Sequence, residues 1–480
     1  MLRLHRCTPI TKPSVLVYEA VRMVTNNKET ESINYRYEYF AAVSATLSLV
    51  ASVSAAGWSS PAIPALLSPQ SHIEVTAAQG SWIVSILSIG GCLGSVVMSP
   101  LVDRYGRKYT MIVSMIPLML GWIMIVFASN VPTIYVARFL HGISYGTSLA
   151  AAPIYLGEIS SKNIRGSTGV LVAVMAKLAF LLQYSVGPFV SFRTLAWINF
   201  SIPIIFLVTF CWVPESPYYY LARGNDDAAV ESLRWLRRCD FNSERFRQEY
   251  HQMRSLIERN RHERASLTDL FTKRNRKSLG IILLLSFGMQ LTGINAILGY
   301  AQTIFSKLDM NFSAAELSIM LGVVQLMAVF VPTFFVDRAG RRPMLLFSSI
   351  GSFVGLAICS IYFTLDAKGY DVDAFSWVPF VATLEFIVSY ALGLATVPFA
   401  ILGEVFPKSI KANANSVFSV ITSFIVFMVL KMFQVISDGA GTYVAFWIFA
   451  ISTAGTTVMI YLLIPETKGK SFEEIQEMML

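Results

Sequence analysis

SWIVSILSIGGCLGSVVMSPLVDRYGRKYTMIVSMIPLMLGWIMIVF, residues 81–127, is two apolar runs parted by the charged hexapeptide Asp103 to Lys108. A helix needs about 20 mostly apolar residues to cross a bilayer, and each run supplies them. Gly106 suits a tight turn between the two, because a residue without Cβ takes positive φ readily. The pattern returns 234 residues later, where DRAGRR at Asp337 to Arg342 separates another pair of apolar runs. Two further pairs keep the same order: GEISSKNIR from Gly157 with GEVFPKSIK from Gly403, and PESP from Pro214 with PETK from Pro465. Three motifs repeated at nearly constant offset imply two homologous halves.

The rest of the chain fits that division. Its 480 residues are 54% hydrophobic and 14% charged, too apolar for a water-soluble surface. Twelve spans are expected at 41–63, 80–101, 110–128, 133–156, 167–187, 193–212, 279–305, 316–336, 344–364, 376–402, 415–436 and 442–464. The fold class is an all-α membrane protein with twelve transmembrane helices in two pseudo-symmetric six-helix bundles. The expected domains are a tail (1–40), a first bundle (41–212), a linker of short amphipathic helices (213–278), a second bundle (279–464) and a tail (465–480).

Charge gives orientation. Of 38 Lys and Arg, only Arg193, Lys307 and Lys368 fall on one side of this topology, and Arg138, Lys177 and Lys431 fall within spans. The other 32 share a side with both tails, which places the termini in the cytoplasm. The net charge of +8 is thus topological, and no nucleic-acid partner is expected. Residues 1–40 lack the apolar core of a cleavable signal peptide. Five scattered cysteines form neither a disulfide framework nor a metal site.

All six motif copies lie at cytoplasmic helix ends and combine carboxylates with Arg or Lys, a pairing suited to bidentate hydrogen bonds. Asp103, Arg104, Arg107, Glu158, Arg165 and Glu215 are expected to form one gate latch, and Asp337, Arg338, Arg341, Glu404, Lys411 and Glu466 its twin. In transporters built from repeats, the substrate site lies at the bilayer midplane between the halves.

Together with QLTGIN, PESPYYYLARG and PETKGKS, these motifs resemble the sugar porter family of the major facilitator superfamily over residues 40–472. GWSSPAIPAL at Gly57 to Leu66 is similar to the arthropod trehalose-transporter-like branch and its mammalian hexose-transporter relatives. The resemblance implies a monomeric plasma-membrane carrier of a hexose or trehalose that works by alternating access without a cofactor. Its sugar-contacting pattern in the seventh span, QQxSGIN, is MQLTGIN here, so Gln290 and Asn295 carry over and Met289 replaces a glutamine. The resemblance also assigns Gln325, Phe399 and Thr422 to the substrate, while a family glutamine in the fifth span is Ala173.

Lys177 lies four residues past Ala173, near the middle of its span, too deep to snorkel. Its ammonium replaces the missing glutamine, or it pairs with a carboxylate such as Glu385, another intramembrane charge, or it is a neutral buried lysine. No carboxylate stands between Ala41 and Leu67, where proton-coupled members of the family carry an aspartate; this favours uniport over proton symport. Arg138 and Lys431 read as structural anchors, and His141 as a packing residue. Asn311 heads a formal glycosylation sequon on the outer side. GKS at 469–471 lacks the upstream glycine of a P-loop, since Ile464 stands there, and neither GxSxG nor HExxH occurs. A non-transporting sugar sensor is the rival of another class; such receptors carry long cytoplasmic tails, against 16 residues after the last span.

Overall fold

A computed structural model describes residues 35–238, 243–260, 267–272, 275–332, 339–406, 408–470 and 474. The first half contains α1 (Arg36–Gly57), α2 (Ser59–Leu67), α3 (Ala77–Tyr105), α4 (Arg107–Val126), α5 (Val131–Ile159), α6 (Arg165–Val186) and α7 (Phe192–Phe210). Short helices α8 (Pro217–Ala222), α9 (Asp226–Arg237) and α10 (Glu244–Asn260) follow. The second half contains α11 (Arg276–Leu291), α12 (Ile294–Gly299), α13 (Ala301–Phe305), α14 (Ala314–Ala328), α15 (Arg341–Ala367), α16 (Val378–Leu392), α17 (Val397–Val405), α18 (Lys408–Gly439) and α19 (Thr442–Leu463).

Among the described residues, ten helical segments are long and apolar enough to span a membrane. The 29-residue α5, which carries Arg138 and Glu158, and the shorter α14 complete the twelve. Two of the spans are broken. The seventh divides into α11, α12 and α13, with Gly293 at φ 76°, and the tenth divides into α16 and α17 around Gly393 to Thr396.

Small residues set the helix spacing. Gly90 and Gly94 of α3 face Gly142 and Gly146 of α5 so closely that a Cβ at Gly90 would lie 2.1 Å from the Phe139 carbonyl oxygen. Such approach lets backbones pack directly, the main source of helix attraction inside lipid. Helix starts are fixed by side-chain caps: Thr76 and Gln79 form a reciprocal box on α3, and Ser313 and Glu316 form one on α14.

The linker helices have their own small core of Leu221, Ala229, Leu233, Phe246 and Met253. They dock on the first half through Arg237, whose guanidinium meets buried Glu38 at 3.2 Å and Glu249 at 2.7 Å and donates to the Ile159 carbonyl. The halves meet along α3 with α18 and along α6 with α14. Resolved side-chain contacts across the seam gather at the end opposite the motifs: Lys431 on Ser81, Trp82 beside Phe427, and the Gln302 amide on Ser60.

Candidate functional site

Within the seventh span, the chain turns out of α11 at Thr292 and Gly293 and re-enters α12. A Cβ at Gly293 would lie 2.3 Å from the Phe449 ring, so glycine is required there by space as well as by φ. The break brings together two side chains that an unbroken helix would hold about 140° apart. Asn295 Nδ2 donates to Gln290 Oε1 at 2.5 Å, with Gln290 buried and Asn295 half-buried.

Gln325 on α14 is buried, and neither its amide oxygen nor its amide nitrogen has a hydrogen-bond partner. Gly322, one turn earlier, packs on Leu181 and Tyr184 of α6, so Gln325 lies at the level of Lys177 on the α6–α14 seam. Thr422 on α18 likewise has a buried hydroxyl without a partner. Phe399 of α17 is exposed on one face and meets Phe418 of α18 edge-on at 5.4 Å, one turn before Thr422. These groups are donors, acceptors and an aromatic face, the set a polyhydroxylated ligand needs.

Lys177 is half-buried, with its ammonium 5.9 Å from the Phe180 ring centre. The alternative of a pairing with Glu385 is not what the structure shows. Glu385 packs against Gly351 and Gly355 of α15 and accepts from Ser389 Oγ at 2.5 Å, because the two glycines leave a notch that the carboxylate fills. Arg138 is fully buried at the other end of the first half. Its guanidinium is satisfied by the Ile83 and Ala55 carbonyls and Ser59 Oγ, all neutral, and faces the Trp58 ring. His141 is packed 4.1 Å from Trp122, ring to ring. Asn311 is exposed in the connection before α14.

Among the described residues of the two expected gate latches, the side-chain pairs join elements of the same half in this conformation. Arg107 Nε and Nη2 both donate to Glu158 Oε1, at 3.1 and 2.8 Å, joining α4 to α5. Arg341 repeats this on Glu404 Oε1, at 3.1 and 2.9 Å, joining α15 to α17. Glu215 accepts the backbone N–H of Lys108, and Glu466 accepts those of Arg341 and Arg342, so each carboxylate caps the helix that follows its glycine turn. Gly106 and Gly340 make room with φ 97° and 90°.

Burial pushes the Glu215 carboxyl above the usual range. Burial works the same way on Glu466, but the N–H groups of Lys468, Arg341, Arg342 and Thr467 outweigh it and hold that carboxyl below the usual range. Asp103 and Arg104 contribute carbonyls, which accept from Arg223 and Tyr219. Arg165 stands apart, lining a cleft of about 330 Å³ with Lys162, Tyr218, Glu249 and Gln252. Lys411 reaches the Gly403 carbonyl at 3.4 Å. Asp337 and Arg338 lie outside the described residues.

Sequence reasoning missed the fastening of the sixth and twelfth spans: Lys108 Nζ donates to the Cys211 carbonyl and Arg342 Nη2 to the Tyr461 carbonyl. The signal was present as the third basic residue of each repeat. It also missed the pairing of Arg237 with Glu38, which only docking of the linker creates.

Residues 21–479 match the family described as sugar (and other) transporter. A facilitated trehalose transporter, Tret1 of Culex quinquefasciatus, is 32% identical over 452 residues, covering 92% of this chain and 86% of that protein. The Tret1 protein of Bombyx mori is 31% identical over 417 residues, covering 86% and 81%. Among solved structures, the inward-open xylose transporter XylE from E. coli superposes with a TM-score of 0.76 at 19% identity, covering 92% of this chain and 99% of that one. The proton:xylose symporter XylE bound to 6-bromo-6-deoxy-D-glucose superposes with a TM-score of 0.75 at 20% identity, covering 93% and 100%. These superpositions assign the major facilitator fold.

Proposed function

The chain belongs to the sugar transporter family, a membrane carrier and not an enzyme, and on that footing we propose that it moves trehalose or a hexose down its gradient by alternating access. One observation carries the reading: buried amides in the second half, with Gln290 and Asn295 joined across a helix break and both polar atoms of Gln325 unpartnered. A buried polar group without a partner is costly, and sugar hydroxyls, which donate and accept, satisfy it. Phe399 and Thr422 complete the far wall, and Lys177 adds donors from the first half. The Tret1 relatives, named as facilitated trehalose transporters, support this substrate class.

Uniport is favoured by what surrounds the charged groups within the spans. Arg138 is held by neutral acceptors, no carboxylate stands between Ala41 and Leu67, and Glu385 fills a notch in α15. The basic motif end faces the cytoplasm with both termini, so the conformation, joined at the opposite end, is open inward. The carrier works as a monomer in the plasma membrane, takes no nucleic acid, and is organised as a tail, a bundle over 41–212, a linker, a bundle over 279–464 and a tail.

Proteoliposomes loaded with buffer test this directly. Labelled trehalose or glucose should equilibrate across the membrane at a rate unchanged by an imposed pH gradient. Accumulation driven by that gradient would establish proton symport, and absence of flux for trehalose, glucose and fructose would reject the substrate class.

A further inference from the structure

Lys431, at the outer part of α18, donates across the seam to the other half. Its Nζ lies 2.6 Å from Ser81 Oγ and 3.4 Å from the Ala78 carbonyl oxygen, and 4.5 Å from the centre of the Trp82 ring. Trp82 in turn packs on Phe427, one turn before Lys431. All three partners of the ammonium belong to the first two turns of α3. A lysine that served only to anchor its helix at the membrane surface would extend to water. This one instead turns its charge onto the opposite half, where two oxygens and an aromatic face take up part of its water shell.

We propose that Lys431 is a clamp across the outer mouth that sets the balance between inward-open and outward-open states. The proposal rests on the alternating-access reading, since opening outward parts α3 from α18 at this end. Every contact of the ammonium would then be lost together, whereas the pairs inside each half would persist. An interaction present in one state and absent from the other shifts the population by its full strength, while interactions common to both shift nothing. The clamp therefore stabilises the inward-open state alone, and its removal moves the carrier outward.

The test needs no sugar, so it can fail or succeed independently of the transport reading. Spin labels are placed at Gln70→Cys and Ala440→Cys, exposed positions at the outer ends of the two halves, after replacement of the five native cysteines. The distance distribution in lipid then reports the outer mouth. Lys431→Met and Trp82→Leu should each raise the ratio of long to short distances about threefold or more, a shift in line with the strength of one cation–π contact. Lys431→Arg, which keeps the charge and its donors, should stay near the parent. In a separate single-cysteine protein, Ser85→Cys, one turn below Ser81, should react faster with a membrane-impermeant maleimide applied outside when Lys431 is Met. If Lys431→Met fails to fold, Ser81→Ala and Trp82→Leu carry the measurement. Unchanged distances in the variants that fold, or an outward shift in Lys431→Arg as large as in Lys431→Met, would overturn the clamp.

Discussion

Asn295 Nδ2 lies 2.5 Å from Gln290 Oε1, although five positions separate the two residues, because the helix between them is interrupted at Gly293. Asn295→Ala and Gln290→Ala should each raise the apparent sugar constant about tenfold, the size of one lost hydrogen bond in a site built to make it. Expression should hold near the wild-type level. A parallel loss of folded protein would show that the pair serves packing instead.

Gly293→Ala should be far more damaging than either amide substitution. A left-handed conformation costs a residue with Cβ about 1–2 kcal/mol, and the new methyl would press on the Phe449 ring 2.3 Å away. Loss of monodisperse protein on size exclusion is the expected outcome. Wild-type yield would mean the break can be rebuilt without a glycine.

Arg107 and Arg341 hold equivalent positions in the two halves and should behave alike. Arg107→Ala leaves a half-buried Glu158 without its fork and should lower the melting temperature, and Arg341→Ala should do the same through Glu404. In a double-mutant cycle, Arg107 should couple to Glu158 and not to Glu404, since the pairs lie within halves. Coupling between Arg107 and Glu404 would show that the charges pair across the halves instead.

The two capping carboxylates should respond oppositely to pH. Glu466 has a folded value below its unfolded one, so its contribution is full above the unfolded value and is lost as pH falls through the folded value. Glu215 has a folded value above its unfolded one, so its contribution is present below the unfolded value and is lost as pH rises through the folded value. Near neutral pH, Glu466→Gln should therefore cost more thermal stability than Glu215→Gln, and the gap should narrow on acidification toward about pH 4. Melting curves of both variants across that range check the sign, and a larger cost for Glu215→Gln near neutrality would reverse it.

Lys177→Met should abolish or strongly reduce transport while the protein still reaches the membrane, because the change keeps length and removes the donors. Glu385→Gln should give no rescue, since Glu385 is engaged with α15. Full flux in Lys177→Met would make Lys177 a structural charge.

How much of this was legible differs by residue. The fork of Arg107 on Glu158 could be anticipated as a meeting of the DRYGRK and GEI motifs, since both stand at helix ends on one side of the membrane. Which half each charge serves could not, because complementary charges repeat in both halves and sequence does not say which copy is near. Gly293 and Pro398 showed where the seventh and tenth spans could break, whereas the exposure of Phe399 depends on what packs against it and leaves no mark in GLATVPF. The unpartnered amide of Gln325 is invisible in a linear chain, where every amide has water.

The sequence by itself determined the number of spans, their pseudo-symmetry and the distribution of charge, because burial in hydrocarbon is a local demand that each stretch of about 20 residues meets or fails alone. Only the tertiary structure decided the partners: Glu385 with the glycines of α15 instead of Lys177, Glu38 with Arg237 of the linker, and Lys431 with Ser81 and Trp82 of the opposite half. The physical reason is reach. A side chain meets whatever the packing of backbones brings within a few ångströms, and that packing is set by small residues such as Gly90, Gly142 and Gly355, whose spacing along one helix does not say which other helix they meet.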